Sequence, residues 1–292
     1  HTVRIFVEMQ QDSGENHEII GYICNSFTPP IPKPALNEQN HDKKTLADRL
    51  AASRCGIGSR PTQDHRSPRL LDHTRIGTKL TCFVLQGRFV RRFRIGNRRL
   101  ADGRLIVNHD RIYRGTDIDM ERSKAREIQL IVLPNGENIP SLDEYLELVA
   151  SKPATRLVLE MKSLSDLNRE DLAARKIVQA LKKHNLMERT DLIAFSINAC
   201  LAFRKIAPDA RIFYLNGDLP PQSIRDLGLT GIDYSGEVLR QNPEWVKQAH
   251  DLGLEVNVWT IDKSEDMRYF IDLGVDYITT DYPELLQQQL SR

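Results

Sequence analysis

Cysteine is scarce: Cys24, Cys55, Cys82 and Cys200 form no C-x-x-C pair and no metal-ligand spacing, which speaks against a disulfide framework or a thiolate metal site. Long apolar runs are missing too, so no segment has the length and hydrophobicity of a membrane-spanning helix. The N-terminus shows no secretory leader, and its first residue is His1 rather than Met, which reads as a fragment or a processed product. No glycine-rich loop follows any strand-like run, which argues against a nucleotide-binding sheet. Acids are nearly absent from one stretch, since Asp72 is the only one between His65 and Leu100.

What is present divides unevenly. The formal net charge of +1 over 292 residues hides 17 Lys+Arg against 9 Asp+Glu in residues 1–100, and 24 against 31 in residues 101–292. Residues 1–42 hold the turn-rich run Thr28-Pro-Pro-Ile-Pro-Lys-Pro34 and no sustained period, and are expected to be disordered. Residues 43–100 are basic, with arginines clustered at Arg91-Arg92-Phe93-Arg94 and Arg98-Arg99. One reading is a basic arm on a non-catalytic barrel, binding nucleic acid or anionic lipid with an affinity that falls steeply with salt. Against it, the segment has only Phe83, Phe89 and Phe93 as aromatics and no nucleic-acid motif.

From Ala101 the chain alternates short apolar strands with amphipathic helices. Leu105-Ile-Val-Asn108 reads as a strand, and Ser141-Leu-Asp-Glu144 as a capping box opening a helix to about Ala150. Arg156-Leu-Val-Leu-Glu-Met-Lys162 reads as a buried parallel strand, because its apolar run is continuous rather than alternating. Helices over 169–184, 198–206, 221–227, 243–252, 264–273 and 283–289 are separated by strands over 192–196, 211–215, 231–234, 255–260 and 277–280. Repeated βα units imply a parallel sheet wrapped in helices, and their number favours an α/β fold of the (β/α)8 TIM type.

In such a barrel the polar residues at C-terminal strand ends share one mouth. They are Asn108, His109, Glu160, Lys162, Ser196, Asn198, Asn216, Asp233, Trp259 and Asp281. Side chains on a strand alternate faces, so Glu160 and Lys162 point the same way. A His beside an Asp suits proton transfer near neutral pH. A Glu beside a Lys suits a hard divalent cation and an anionic oxygen, and Trp259 offers a flat apolar wall. Each has a bland alternative: a loop histidine, a surface ion pair, a helix cap at Asp281, a packing tryptophan. Singly those alternatives win; jointly, on successive strand ends, they do not.

These residues carry a family resemblance. Leu-Ile-Val-Asn-His-Asp (105–110), Ile-Pro-Ser-Leu-Asp-Glu-Tyr-Leu (139–146), Leu-Val-Leu-Glu-Met-Lys (157–162), Val-Asn-Val-Trp-Thr-Ile (256–261) and Gly-Val-Asp-Tyr-Ile-Thr-Thr-Asp (274–281) resemble the glycerophosphodiester phosphodiesterases, in that family's order. The resemblance implies a TIM barrel that hydrolyses small-molecule glycerophosphodiesters to glycerol 3-phosphate and an alcohol with a divalent cation, Ca or Mg. It makes His109 a catalytic acid/base, Glu160 a metal ligand, Lys162 a phosphate contact and Trp259 part of the substrate wall. Relatives acting on phosphoinositides or sphingolipid diesters fit these motifs less well.

The departure lies upstream. The family opens with a strand ending His-Arg-Gly and a second carrying Glu-x-Asp, whereas here His65-Arg66 is followed by Ser67 and no Glu-x-Asp precedes His109. Read one nucleotide later, residues 64–71 permit Ile-Ala-His-Arg-Gly-Tyr-Trp, and Ile95 to Leu100 permit Ser-Glu-Ile-Asp-Val-Trp. In that frame the codon of His41 permits Met, followed by Lys-Lys and an apolar run shaped like a signal peptide. The expectation is therefore three regions. Residues 1–42 are disordered upstream sequence, 43–100 a frame-shifted N-terminus, and 101–292 a barrel domain whose first two strands are corrupted. An intact gene product would then be periplasmic or secreted, whereas the chain as written would have weakened metal affinity and little activity.

Overall fold

In a computed structural model, residues 4–8, 92–113, 116–132, 138–153 and 156–291 are described, with the backbone alone for 4–8 and 92–96. They belong to one compact unit, His1–Cys24 with His73–Arg292.

Strands β1 (Arg4–Glu8), β2 (Arg92–Arg99), β3 (Leu105–Val107), β4 (Arg156–Met161), β5 (Thr190–Ala194), β6 (Arg211–Tyr214), β7 (Gly231–Ser235), β8 (Glu255–Trp259) and β9 (Tyr277–Thr279) form one sheet. Its order is β1-β9-β8-β7-β6-β5-β4-β2-β3, and β1 also pairs with β2. With β1 paired in parallel to both β9 and β2, the staves β1, β2 and β4 to β9 close into a parallel TIM-type ring. β3 is antiparallel to β2 and hangs outside that ring as the return limb of a hairpin.

Outside the strands lie α1 (Ala125–Ile128), α2 (Leu142–Ala150), α3 (Leu167–Lys183), α4 (Ile197–Ile206), α5 (Pro221–Asp226), α6 (Gly236–Gln241), α7 (Glu244–Asp251), α8 (Ser264–Leu273) and α9 (Pro283–Leu290). The capping box is present as read: the Ser141 hydroxyl accepts from Glu144 N while the Glu144 carboxylate accepts from Ser141 N at 2.8 Å. α3 starts earlier than its apolar period suggests, because Asp166 accepts from Asn168 N and caps it. Gly274, at φ +89°, ends α8 in a left-handed turn that suits glycine.

Alternation along the strands separates two cores. Leu157, Leu159, Leu192 and Ile212 face the helices, in a cluster with Ile177, Val178 and Phe203. Val158, Ile193, Phe213, Leu215 and Tyr277 form a second cluster that fills the barrel. At the N-terminal pole, Asp191 lies 3.0 Å from Arg156 and 2.8 Å from Arg211, while Arg211 also pairs with Glu255 at 2.7 Å. Gly231 lets β7 approach β8, since a Cβ there would run into the Glu255 carbonyl and the Phe213 ring.

Several sequence expectations are corrected. Leu105–Val107 is a strand but not a stave, because three apolar residues carry no information about direction. Arg4–Glu8 belongs to the sheet, although residues 1–42 read as disordered; its apolar centre Ile5-Phe6-Val7 was too short to stand out. Arg92–Arg99 is a barrel strand in parallel register with β4, not part of an arm. The rest of the proposed basic segment, with both candidate positions for a His-Arg-Gly turn, lies outside the described residues. The incompleteness expected of the barrel is thus one of side chains: Arg-Ile-Phe-Val-Glu and Arg-Phe-Arg-Ile-Gly-Asn-Arg-Arg occupy the first two staves, without the family's motifs.

Candidate active site

Glu160 and Lys162 come from the end of β4 on its inward face, next in period to Val158. Lys162 Nζ lies 2.9 Å from a Glu160 carboxylate oxygen, and the two side chains are 9% and 1% exposed, so the pair is buried and not a surface bridge. Such a pair persists because removing either partner leaves a desolvated charge.

His109 reaches the same mouth by a different route from the one its sequence position suggested. The β2–β3 hairpin turns the chain back, and the loop after β3 sets His109 beside β2, where Arg98 donates from Nε and Nη2 to the His109 carbonyl at 3.0 and 2.9 Å. His109 Nδ1 lies 2.7 Å from an Asp110 carboxylate oxygen, which orients the ring. Asn108, fully buried, donates to the Asp110 carbonyl at 2.6 Å and fixes this loop.

Two further charged groups were not found in the sequence. Arg98 is mostly buried, and its Nη1 lies 3.8 Å from Glu121, itself 3% exposed. Glu121 also faces Arg111 at 3.9 Å and accepts from Ser165 N at 3.2 Å, while Arg111 grips Asp119 at 2.9 Å. Burial pulls the Arg98 guanidinium below its ordinary value, and the carboxylates of Glu121, Glu160 and Asp110 act against that. The signal for Arg98 was its place two residues past Gly96, which stands opposite Glu160 in the β2–β4 register. Without the pairing, that signal is invisible.

The other wall is apolar. Trp259, at the end of β8, donates from Nε1 to the Asp233 carbonyl at 2.7 Å. Its ring meets Phe195 edge-on at 5.7 Å between centroids, and both pack on the apolar cluster inside the barrel. Phe195 follows a fully buried strand, which concealed its role. Asp233 itself is buried and accepts from the Asn257 amide, inside the barrel and below Trp259. Asp281 is buried, with its N–H on Asp262 at 2.8 Å, and Tyr282 rather than Asp281 is the N-cap of α9.

Ser196 and Asn198 belong to another set. Ser196 caps α4, and both donate to the buried Glu170 carboxylate, at 2.6 and 3.2 Å. Asn216 is exposed. The mouth therefore gathers His109, Glu160, Lys162 and Trp259 from the expected set and adds Arg98, Glu121 and Phe195.

The arrangement does not fit a divalent cation. Calcium takes six to eight oxygen ligands and magnesium six. Among the described residues no group of three or more His, Cys, Asp and Glu is placed to hold a metal ion. The carboxylates that do gather here already face Lys162, Arg98, Arg111 and His109.

A parallel barrel with charged groups gathered at its strand ends defines the fold class. Residues 98–285 match the model of the glycerophosphoryl diester phosphodiesterase family, and the chain belongs to that family. A glycerophosphodiester phosphodiesterase of Caldanaerobacter subterraneus subsp. tengcongensis is 30% identical over 199 residues, 63% of this chain and 79% of the relative. The crystal structure of a glycerophosphodiester phosphodiesterase from Parabacteroides distasonis superposes with a TM-score of 0.70 at 36% identity, covering 73% of this chain and 89% of that one. A phosphodiesterase from Oleispira antarctica, solved with the product sn-glycerol-3-phosphate, shares the fold at 19% identity and a TM-score of 0.66, with 73% and 90% covered.

Proposed function

We propose that the barrel mouth cleaves glycerophosphodiesters to glycerol 3-phosphate and an alcohol, and that this chain does so poorly. One observation carries the reading: His109–Asp110, Glu160–Lys162 and Trp259 converge on one end of a barrel of this family. The Oleispira structure, with glycerol 3-phosphate as its product, supports the substrate class.

In the hydrolysis, a water oxygen attacks phosphorus and gives up its proton to solvent, the bond to the alcohol oxygen breaks, and the departing oxygen takes up a proton. His109, held through Nδ1 by Asp110, is the acid/base of this proton exchange. Lys162 offers its ammonium to a phosphate oxygen while remaining tied to Glu160. Trp259 and Phe195 form the wall along which the organic part lies. A divalent ion, the family's implied cofactor, enters no step here, because the residues present do not fit it.

Impairment follows from what the first two staves do not bring. The family's second histidine and its Glu-x-Asp carboxylates are missing from β1 and β2 as these strands are built. A positioned acid or base is worth roughly 10²–10⁴ in rate. Translation of residues 41–100 out of frame would account for this, since one nucleotide later the codon of His41 permits Met, followed by Lys-Lys and an apolar run shaped like a signal peptide. The test is release of glycerol 3-phosphate from glycerophosphocholine by the chain as it is and by a version with 41–100 re-read one nucleotide later. The expected outcome is a gain of at least about 10²-fold on re-reading. Robust metal-dependent turnover by the unaltered chain would overturn the impairment, and silence in both versions would overturn the activity. An intact coding frame in the source DNA would remove the frame explanation.

A further inference from the structure

We propose that Arg98 is a built-in cation of the mouth, a guanidinium that holds the ground a divalent ion would need, so that this chain binds neither calcium nor magnesium there. Its consequence for turnover rests on reading the mouth as a phosphodiesterase site. The inference itself rests on charge and geometry alone.

Gly96 stands opposite Glu160 in the β2–β4 register, and Arg98, two residues on, shares that inward face. Only 11% of the Arg98 side chain is exposed, against 3% of Glu121, 1% of Glu160 and 9% of Lys162. These charges are desolvated together, and in such a setting Coulomb terms are several-fold stronger than in water. Arg98 uses three of its nitrogens inside the mouth: Nε and Nη2 on the His109 carbonyl, and Nη1 toward Glu121. Guanidinium keeps its proton at any working pH, so this cation cannot be switched off to admit another.

Carboxylates and cations are matched around it. Glu160 faces Lys162, Glu121 lies between Arg98 and Arg111, and Asp110 meets His109. A divalent ion entering here would displace two buried cations or sit against them, and would find too few oxygen ligands among the described residues. The two codons that permit Glu and Asp when read one nucleotide later are those of Gly96 and Arg98. They are the two last positions of β2 on Glu160's face. A one-base slip would thus exchange two carboxylates for a glycine and a guanidinium at the point where the mouth's charge is decided.

The experiment is calcium titration of the full chain by calorimetry, with terbium luminescence and thermal shift in parallel, on the unaltered protein, Arg98→Met and Gly96→Glu/Arg98→Asp. The unaltered chain is expected to show no saturable calcium or magnesium binding with a Kd below about 1 mM, the weak end of protein calcium sites. Gly96→Glu/Arg98→Asp is expected to gain stoichiometric binding below about 1 mM, and Arg98→Met to gain at least about tenfold in affinity. Far-UV circular dichroism checks folding. If neither variant folds, the titration of the unaltered chain decides alone. Stoichiometric binding by the unaltered chain, abolished by Glu160→Gln, overturns the proposal. So does a folded pair of variants with no gain. Turnover is a separate matter: an unaltered chain that hydrolyses glycerophosphocholine without binding calcium would refute the impairment and leave Arg98 in its role.

Discussion

The barrel has two arcs of different making. Along β4, β5, β6 and β9 the inward residues Val158, Ile193, Phe213 and Tyr277 supply an apolar filling, while β7 and β8 bring the buried, mutually bonded Asp233 and Asn257 to the interior. On β2 and in the loop after β3 the chain contributes Arg98 and Arg111, which meet carboxylates delivered from the loop before α1, Glu121 and Asp119. The first arc is locally consistent, whereas the second is consistent only after assembly. Charge pairing rescues an arginine-rich strand as a stave but fills the place where chemistry would be done. Under the proposed function, stability would rest on the β4–β9 arc and the β2 side would limit activity.

The sharpest way to break that contrast is at the N-terminal pole of the first arc. Asp191 is buried between Arg156 and Arg211, so Asp191→Ala leaves both guanidiniums without this partner. The expected loss is about 3–5 kcal/mol, read as a lowered urea midpoint at constant slope. Arg98→Met, on the second arc, should cost clearly less, because its own partner Glu121 keeps Arg111 and Ser165 N. Equal losses would mean that the basic strand is as much a part of the scaffold as β5.

A smaller effect lies where the arcs meet. α2 packs its buried face of Leu142, Tyr145, Leu146 and Val149 behind β3, and its first turn depends on the reciprocal Ser141–Glu144 bonds. Ser141→Ala should cost about 1 kcal/mol, visible as a small fall in Tm with the unfolding slope unchanged. Ser141→Asp, which keeps an acceptor, should recover most of it.

How far this could be read beforehand follows the same division. The capping box at Ser141, the buried run of β4 and the helix over Ser264–Leu273 were legible because short-range pattern alone determines them. Glu160 and Lys162 were legible as neighbours because strand alternation puts them on one face. Arg92–Arg99 was not, since a strand with four arginines looks like a basic tail until Glu160 is known to lie across from Gly96. Arg98 and Glu121 escaped for the same reason: they meet each other only through the folded sheet and loop, not through any short-range pattern. Ser196 and Asn198 misled because a strand end and a helix cap look alike in sequence, and Glu170, which claims both, sits a whole helix away.

The finest test of the second arc uses pH. The Arg111 guanidinium, hydrogen-bonded to Asp119 at 2.9 Å, holds that carboxyl below its ordinary value of 3.8, helped by the Glu121 N–H. A carboxyl depressed in the folded state contributes stability that is fully present above the ordinary value and is lost as pH falls through the folded one. Asp119→Asn should therefore cost a partly exposed pair's worth, below about 1 kcal/mol, at neutral pH. The unfolding midpoints of the variant and the unaltered protein should draw together as pH drops well below 3.8, whereas Ser141→Ala should keep its deficit over most of that range. A gap at Asp119 that is constant with pH would show that this loop is held by shape rather than by charge, and that the arginine side of the barrel is less dependent on its carboxylates than the mouth suggests.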